Sequence, residues 1–312
     1  MRRARLFAVG GAHMDRRGRV RGPHVPEASN PGTMREEVGG GAFNAARTAV
    51  RRGISVSLMS LRGGDAAGER VAEAIEEAGI EDFSAIFLDR ATPSYTAILT
   101  EGGDLITGLA DMGLYEIGFA RQLRRRKIRD GLAEADAVLC DANVPAEAIE
   151  LLAEVSRGKP FFALAISPAK ALRLAPVLGS LSCLFMNRRE ACALAGLPMD
   201  SRPRQAAQRL ADMGLRAGII SAGGDPALCL DNGRLFEVAP PESRIADVTG
   251  AGDALAGASI AALMRGYGLA EAAREGMAAA KLALESENAA PDFDEDGFGA
   301  ALALVPPGRA LD

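Results

Sequence analysis

Asp247-Val248-Thr249-Gly250-Ala251-Gly252-Asp253 stands between a polar, proline-containing segment, residues 239–244, and an apolar helical run, residues 254–264. It therefore reads as a loop that feeds a helix N-terminus. Small residues in such a place let backbone N–H groups come close to an anion, and the helix dipole favours negative charge there. Asp253 adds a carboxylate at the helix entrance. A glycine-rich turn alone is common punctuation and needs no ligand to explain it. An anion cradle joined to a placed carboxylate is chemically more particular. It suits phosphoryl transfer to an alcohol, in which the carboxylate takes the hydroxyl proton and the amides hold the charge that builds on the phosphate oxygens.

Outward from this stretch, apolar strands alternate with helical runs. Strands are expected over residues 137–140, 161–166, 183–186 and 217–221, with helices over 146–155 and 204–213 between them. That alternation predicts a mostly parallel sheet covered on both faces. Near the start, Leu6 to Val9 is a short strand that runs into Gly10-Gly11-Ala12-His13-Met14-Asp15, where open α/β sheets bind ligands. The dinucleotide pattern Gly-Xaa-Gly-Xaa-Xaa-Gly is absent there. Residues 16–38 are polar, contain Pro23, Pro26 and Pro31 and show no helical period, so they are expected to form an irregular lid or a disordered insert. Gly39-Gly40-Gly41 then opens a helix of small residues, which a close packing of helix on sheet would explain. Residues 66–78 form a helix closed by Gly79. Residues 94–100 and 105–109 flank Glu101-Gly102-Gly103-Asp104 as a hairpin. Asn187 and Glu190 have the spacing of a capping box.

A net charge of −5 argues against a nucleic-acid surface, and the basic run Arg121 to Lys127 reads as a solvated helix face. No apolar stretch is long enough to span a membrane, and residues 6–9 are too short for a signal-peptide core, so a cytoplasmic protein is expected. The cysteines at 140, 183, 192 and 229 are scattered through apolar stretches, as buried free thiols are in a reducing compartment. With only His13 and His24 present, acid–base chemistry falls mostly to carboxylates. The 312 residues carry no internal repeat or low-complexity linker, so one domain, 1–312, is the simplest organisation.

The string from Asp247 to Asp253 closely resembles the signature Asp-Thr-Xaa-Gly-Ala-Gly-Asp of the ribokinase-like (PfkB) sugar and nucleoside kinases, and further matches run in order from residue 10 to residue 292. The resemblance implies a three-layer α/β/α fold with a mostly parallel central sheet. It also implies a small β lid, from segments at about 16–38 and 93–113, through which a homodimer could form. The implied cofactors are ATP, Mg²⁺ and K⁺. The implied roles are Asp253 as base, with Gly250, Ala251 and Gly252 as anion hole. Asp15, Gly39, Gly40 and Asn44 would lie beside a ribose. Asn187 and Glu190 would order Mg²⁺ through water, and Ser221, Gly223, Gly224 and Asn288 would border the nucleotide. Asp247 and Thr249 would flank the monovalent cation.

Four stretches resemble the pseudouridine kinase branch of that family: residues 10–15, Ser29-Asn30-Pro31-Gly32, Ser94-Tyr95-Thr96 with Asp111-Met112, and Asp141-Ala142-Asn143. They imply the 5′-hydroxyl of pseudouridine as acceptor and add Asn30, Thr96 and Asn143 to the substrate contacts. A small-molecule nucleoside is then the partner, with no nucleic acid and no membrane. Three departures stand out: Leu164-Ala165 where that branch has Asp-Pro, Phe185 where a Lys is frequent, and Pro226 where a second glycine is usual. They leave open a kinase for ribose or another nucleoside, or a weakly catalytic nucleotide-binding homologue.

Overall fold

Along the strand Arg5–Val9, Leu6 and Ala8 join one apolar core while Phe7 and Val9 join another. The strands Ala137–Asp141 and Phe161–Leu164 divide in the same way: Leu139 and Phe162 face the first core, Cys140 and Phe161 the second. This is the period of two of a pleated strand, and apolar residues on both faces mean that both faces are covered. The computed structural model, which describes residues 2–286 and 293–311, contains a 10-stranded sheet with helices on each side. From one edge its strands are Glu81–Asp82, Ser55–Met59, Arg5–Val9, Ala137–Asp141, Phe161–Leu164, Cys183–Asn187 and Ala217–Ala222, all parallel. Asp225–Asp231, Arg234–Val238 and Arg309–Leu311 extend it antiparallel. Helices such as Gly41–Arg51, Ala251–Met264 and Leu269–Leu284 bury their apolar residues in the first core, and Ala146–Val155 and Pro203–Asp212 in the second. This is the expected α/β/α arrangement.

Connectivity creates the site. From Arg5–Val9 the chain moves to Ser55–Met59 on one side, and only later fills the other side with Ala137–Asp141. The strand order reverses between those two neighbours, so the loops at their carboxyl ends diverge and leave a crevice. Gly10-Gly11 and Asp141-Ala142-Asn143 lie there.

A second, 4-stranded sheet has the order Gly32–Gly39, His13–Val20, Ser94–Leu99, Leu105–Asp111. Residues 16–38, expected to be irregular, are thus largely an antiparallel strand pair, with Asp15 opposite Glu37 and Arg16 opposite Glu36. Their sequence hides this because charges stand on both faces and no apolar alternation is left to read. Backbone pairing and cross-strand ion pairs such as Arg16–Glu36 at 2.9 Å hold the strands instead. The hairpin around Gly102-Gly103 forms as expected, with Gly103 in the left-handed region at φ 95.

The strand expected over 161–166 stops at Leu164, and Ile166 turns the chain at φ 68. Helix Glu295–Ala303 and strand Arg309–Leu311 escaped the sequence reading. The basic run 121–127 spans the end of one helix and the start of the next, with its arginines exposed. All four cysteines are buried and free. Among the described residues no helix is long and apolar enough to cross a membrane.

Candidate active site

Between the carboxyl ends of the large sheet and the inner face of the small one lies a cleft of about 520 Å³. Asp15, Tyr95 and Met112 line it from the small-sheet side, and Asn44, Asn143, Glu190 and Asp253 from the large-sheet side.

Helix Ala251–Met264 begins at this cleft, and Gly250 before it sits in the left-handed region at φ 75, a conformation that favours glycine. Asp253 is in the first turn. Burial among protein atoms pushes its carboxyl up to about 7; the Asn44 hydrogen bond opposes this, and the nearby carboxylates of Asp141, Asp15 and Glu190 reinforce it. Asn44 Nδ2 donates to Asp253 Oδ2 at 3.0 Å, while Asn44 Oδ1 is buried and has no protein partner. A buried acceptor beside a poised base is a ready place for a hydroxyl group.

Helix Gly41–Arg51, which carries Asn44, is held against the crevice by Asp141. Asp141 is fully buried, and its Oδ2 accepts from Gly11 N at 2.9 Å, from Ala42 N at 2.9 Å and from Asn143 Nδ2 at 3.0 Å. A carboxylate at a helix start is favoured by the dipole. Gly40, the residue before this helix, has φ 115, and a Cβ there would lie 2.3 Å from the Gly11 carbonyl oxygen. A Cβ on Gly39 would meet Asp15 Oδ2 at 2.1 Å, so this glycine makes room for Asp15 rather than lining the cleft.

Several residues lie elsewhere than their motifs suggest. Thr96 is not among the cleft-lining residues, whereas Tyr95 is; they are neighbours on one strand and alternate in direction. Asn30 closes its own loop: its Oδ1 accepts from Val25 N at 2.8 Å, and its Nδ2 donates to the Val25 and Ala28 carbonyls, each at 2.9 Å. Lys170, absent from the sequence-derived set, lines the cleft and donates to Asn143 Oδ1, and burial lowers its pKa. Asp141, present in the Asp141-Ala142-Asn143 stretch but without an expected role, closes an otherwise apolar strand, which is the signal that marks it.

On the opposite wall, Asn187 and Glu190 form the capping box: Asn187 N donates to Glu190 Oε2 at 2.8 Å, and Glu190 N to Asn187 Oδ1 at 3.0 Å. Glu190 also lines the cleft, and burial raises its pKa. Around it the wall is apolar, with Leu164, Phe185, Met186 and Ile219. Ser221 lines the cleft, but Gly223 and Gly224 form the turn into strand Asp225–Asp231 and do not. Pro226 is exposed in that strand. Thr249 and Gly252 line the cleft, with Gly250 and Ala251 between them in the chain. Asn288 and the rest of residues 287–292 lie outside the described residues.

Among the described residues no three His, Cys, Asp or Glu side chains cluster as a metal cage. One cleft carboxylate, Glu190, fits an Mg²⁺ that keeps its waters and takes its other ligands from phosphate. Asp247 already has a cation beside it: Oδ2 accepts from Arg17 Nη1, and Oδ1 accepts from Thr249 N.

Known proteins resemble this chain in sequence and fold. Pseudouridine kinase from Escherichia coli (strain K12) is 26% identical over 286 residues, 90% of this chain and 91% of that protein. A solved carbohydrate kinase from Agrobacterium tumefaciens is 43% identical with a TM-score of 0.87, covering 99% of this chain and 100% of that one. Arabidopsis thaliana ribokinase, solved with ribose and ATP, is 19% identical with a TM-score of 0.82 over 96% of this chain and 99% of its own, a likeness of fold. A family model described as pfkB family carbohydrate kinase matches residues 3–296, and the chain therefore belongs to that family.

Proposed function

We propose that this pfkB-family phosphotransferase moves the γ-phosphoryl group of ATP to the 5′-hydroxyl of pseudouridine, giving pseudouridine 5′-phosphate and ADP. The observation that carries the chemistry is the Asn44–Asp253 pair: a carboxylate at a helix start, raised toward neutrality, beside an unpartnered buried acceptor. Asn44 Oδ1, Asp15 and Gly40 hold the ribose and aim its 5′-oxygen. Asp253 takes the hydroxyl proton as that oxygen bonds to the γ-phosphorus and ADP leaves. The amides of Gly250, Ala251 and Gly252 receive the charge that spreads over the phosphoryl oxygens. Glu190, positioned by Asn187, would hold the water shell of a Mg²⁺ bound with the nucleotide, and that ion would supply neutralisation of the phosphate charge. Ser221 and the apolar wall take the nucleotide. Positioning and charge stabilisation account for the rate, because phosphoryl transfer asks little covalent help of a protein. The small sheet serves as a lid over the nucleoside, with the whole chain acting as one domain.

The substrate assignment is supported by the pseudouridine kinase relative and by the chemistry of the cleft. Pseudouridine differs from uridine by a carbon glycosidic bond that leaves an extra ring N–H donor. An acceptor on the small-sheet side of the cleft, where Asp15 and Tyr95 stand, would meet that donor, and Asn30, engaged in its own loop, is not assigned this role. Uridine would leave such an acceptor unpaired, at about 1–3 kcal/mol, or roughly 5- to 150-fold in kcat/KM. The test is kcat/KM for pseudouridine, uridine, adenosine and ribose with Mg²⁺-ATP. Uridine or ribose matching pseudouridine would overturn the substrate while leaving the phosphotransferase standing.

A further inference from the structure

Arg17 lies on strand His13–Val20, two residues beyond Asp15, on the face that His13 and Asp15 present to the cleft. Its guanidinium spans two elements. Nη2 donates to Glu37 Oε1 at 2.8 Å on the neighbouring strand, and Nη1 donates to Asp247 Oδ2 across the cleft mouth. Asp247 opens the signature loop, and its second oxygen accepts the Thr249 N–H at 2.8 Å. The two side chains are only 23% and 29% exposed, so the pair is partly withdrawn from water and its charges interact more strongly than those of a fully exposed pair.

We propose that Arg17 is a positioning residue that supplies, from within the chain, the positive charge a free monovalent ion would otherwise bring to Asp247. A guanidinium suits this place: it is always charged, planar and able to donate to two acceptors at once, so it fixes the loop as well as compensating its charge. The charge also arrives on the small sheet. Loop order at Thr249 to Gly252 is therefore tied to the position of the sheet that flanks Asp15. When that sheet moves away, Asp247 loses its cation and the amides beside Asp253 lose their support. The phosphoryl-accepting side of the cleft is thus assembled with the sheet in place, and the assembly needs no potassium. For its kinetic reading the proposal rests on the phosphotransferase function above; its effect on loop order does not.

The experiment uses the full chain with Arg17→Met, which keeps the apolar stem, and Arg17→Lys, which keeps the charge. Hydrogen exchange across residues 247–253 is followed in potassium chloride and in tetramethylammonium chloride at equal ionic strength. Turnover of Mg²⁺-ATP with pseudouridine is measured in the same two salts. The wild type is expected to differ by less than about twofold between salts in both readouts, because its cation is built in. In tetramethylammonium, Arg17→Met is expected to exchange roughly tenfold faster across the loop and to lose roughly tenfold in kcat. Potassium should restore part of both, and Arg17→Lys, which keeps the charge but not the two-pronged geometry, should fall between Arg17→Met and the wild type. Should Arg17→Met fail to fold, Asp247→Asn removes the other half of the pair and is compared in the same way. The proposal is overturned if potassium raises wild-type loop protection or kcat roughly tenfold, or if Arg17→Met protects the loop as the wild type does without potassium. Absence of turnover with every acceptor overturns the functional reading instead, and the exchange measurement still decides the role of Arg17.

Discussion

Asp253→Asn should make the protein more stable and nearly inactive at once. Asn keeps the shape of the side chain, and its amide oxygen can still accept from Asn44 Nδ2. What disappears is a negative charge that burial disfavours. In the folded chain that carboxyl titrates at about 7, against an ordinary value of 3.8. A rise of roughly three units at 1.36 kcal/mol each sets an upper bound of about 4 kcal/mol, and because Asp253 is only half-buried about 2 kcal/mol is a fair value. The sign follows from proton binding. Between the two pKa values the folded state holds a proton that the unfolded state has lost, so wild-type stability falls as pH rises through this window and levels off above about 7. The Asn variant has no such slope. Urea unfolding of both proteins at pH 5 and pH 8 should therefore show an advantage for the variant that is larger at pH 8, by about 1 kcal/mol or more. Turnover should fall by roughly 10²–10⁴-fold or more, as is usual when a general base is removed. Wild-type kcat/KM should rise with pH up to about 7 and then flatten, because only the deprotonated carboxylate accepts the proton. A variant that keeps half the turnover, or a stability difference equal at both pH values, would refute the reasoning.

Removing the hairpin tip, residues 101–104, should raise KM for nucleoside more than for ATP, since the small sheet flanks Asp15 rather than Ser221; equal changes in the two constants would count against the lid. Hydrogen exchange over residues 94–109 should slow on adding nucleoside, because Leu105–Asp111 is the edge strand of the small sheet and its side chains are largely exposed without a ligand beneath them. Gly40→Ala should cost at least about 2 kcal/mol in urea unfolding, since the residue holds φ 115 and its Cβ would lie 2.3 Å from a carbonyl oxygen. Glu275→Ala should cost about 1–3 kcal/mol, because it removes a buried partner shared by Arg52 and Arg265 while Arg52 keeps Glu295, and no measurable loss would show those charges to be solvated.

The features legible in the sequence were the local ones. Seven consecutive residues, Asp247 to Asp253, contain the whole of the proposed anion cradle, because a left-handed glycine, the first amides of a helix and a first-turn carboxylate are neighbours in the chain. The Asn187–Glu190 cap is legible for the same reason. Strand and helix periods disclose which faces are covered, and so the layered fold. Of the small sheet, the hairpin over residues 94–109 was legible, but the pair His13–Val20 and Gly32–Gly39 was not, because it spends its side chains on charge rather than on apolar alternation, and register across Arg16 and Glu36 is a matter of backbone pairing. The working site is tertiary almost by definition. Asn44 and Asp253 are 209 residues apart, Gly11 and Asp141 130, Arg17 and Asp247 230. Each pair meets only because the strand order reverses beside Arg5–Val9 and the small sheet stands over the opening. Local sequence can fix the conformation of a loop, but which carboxylate is desolvated and which arginine answers it depends on what long-range packing brings alongside.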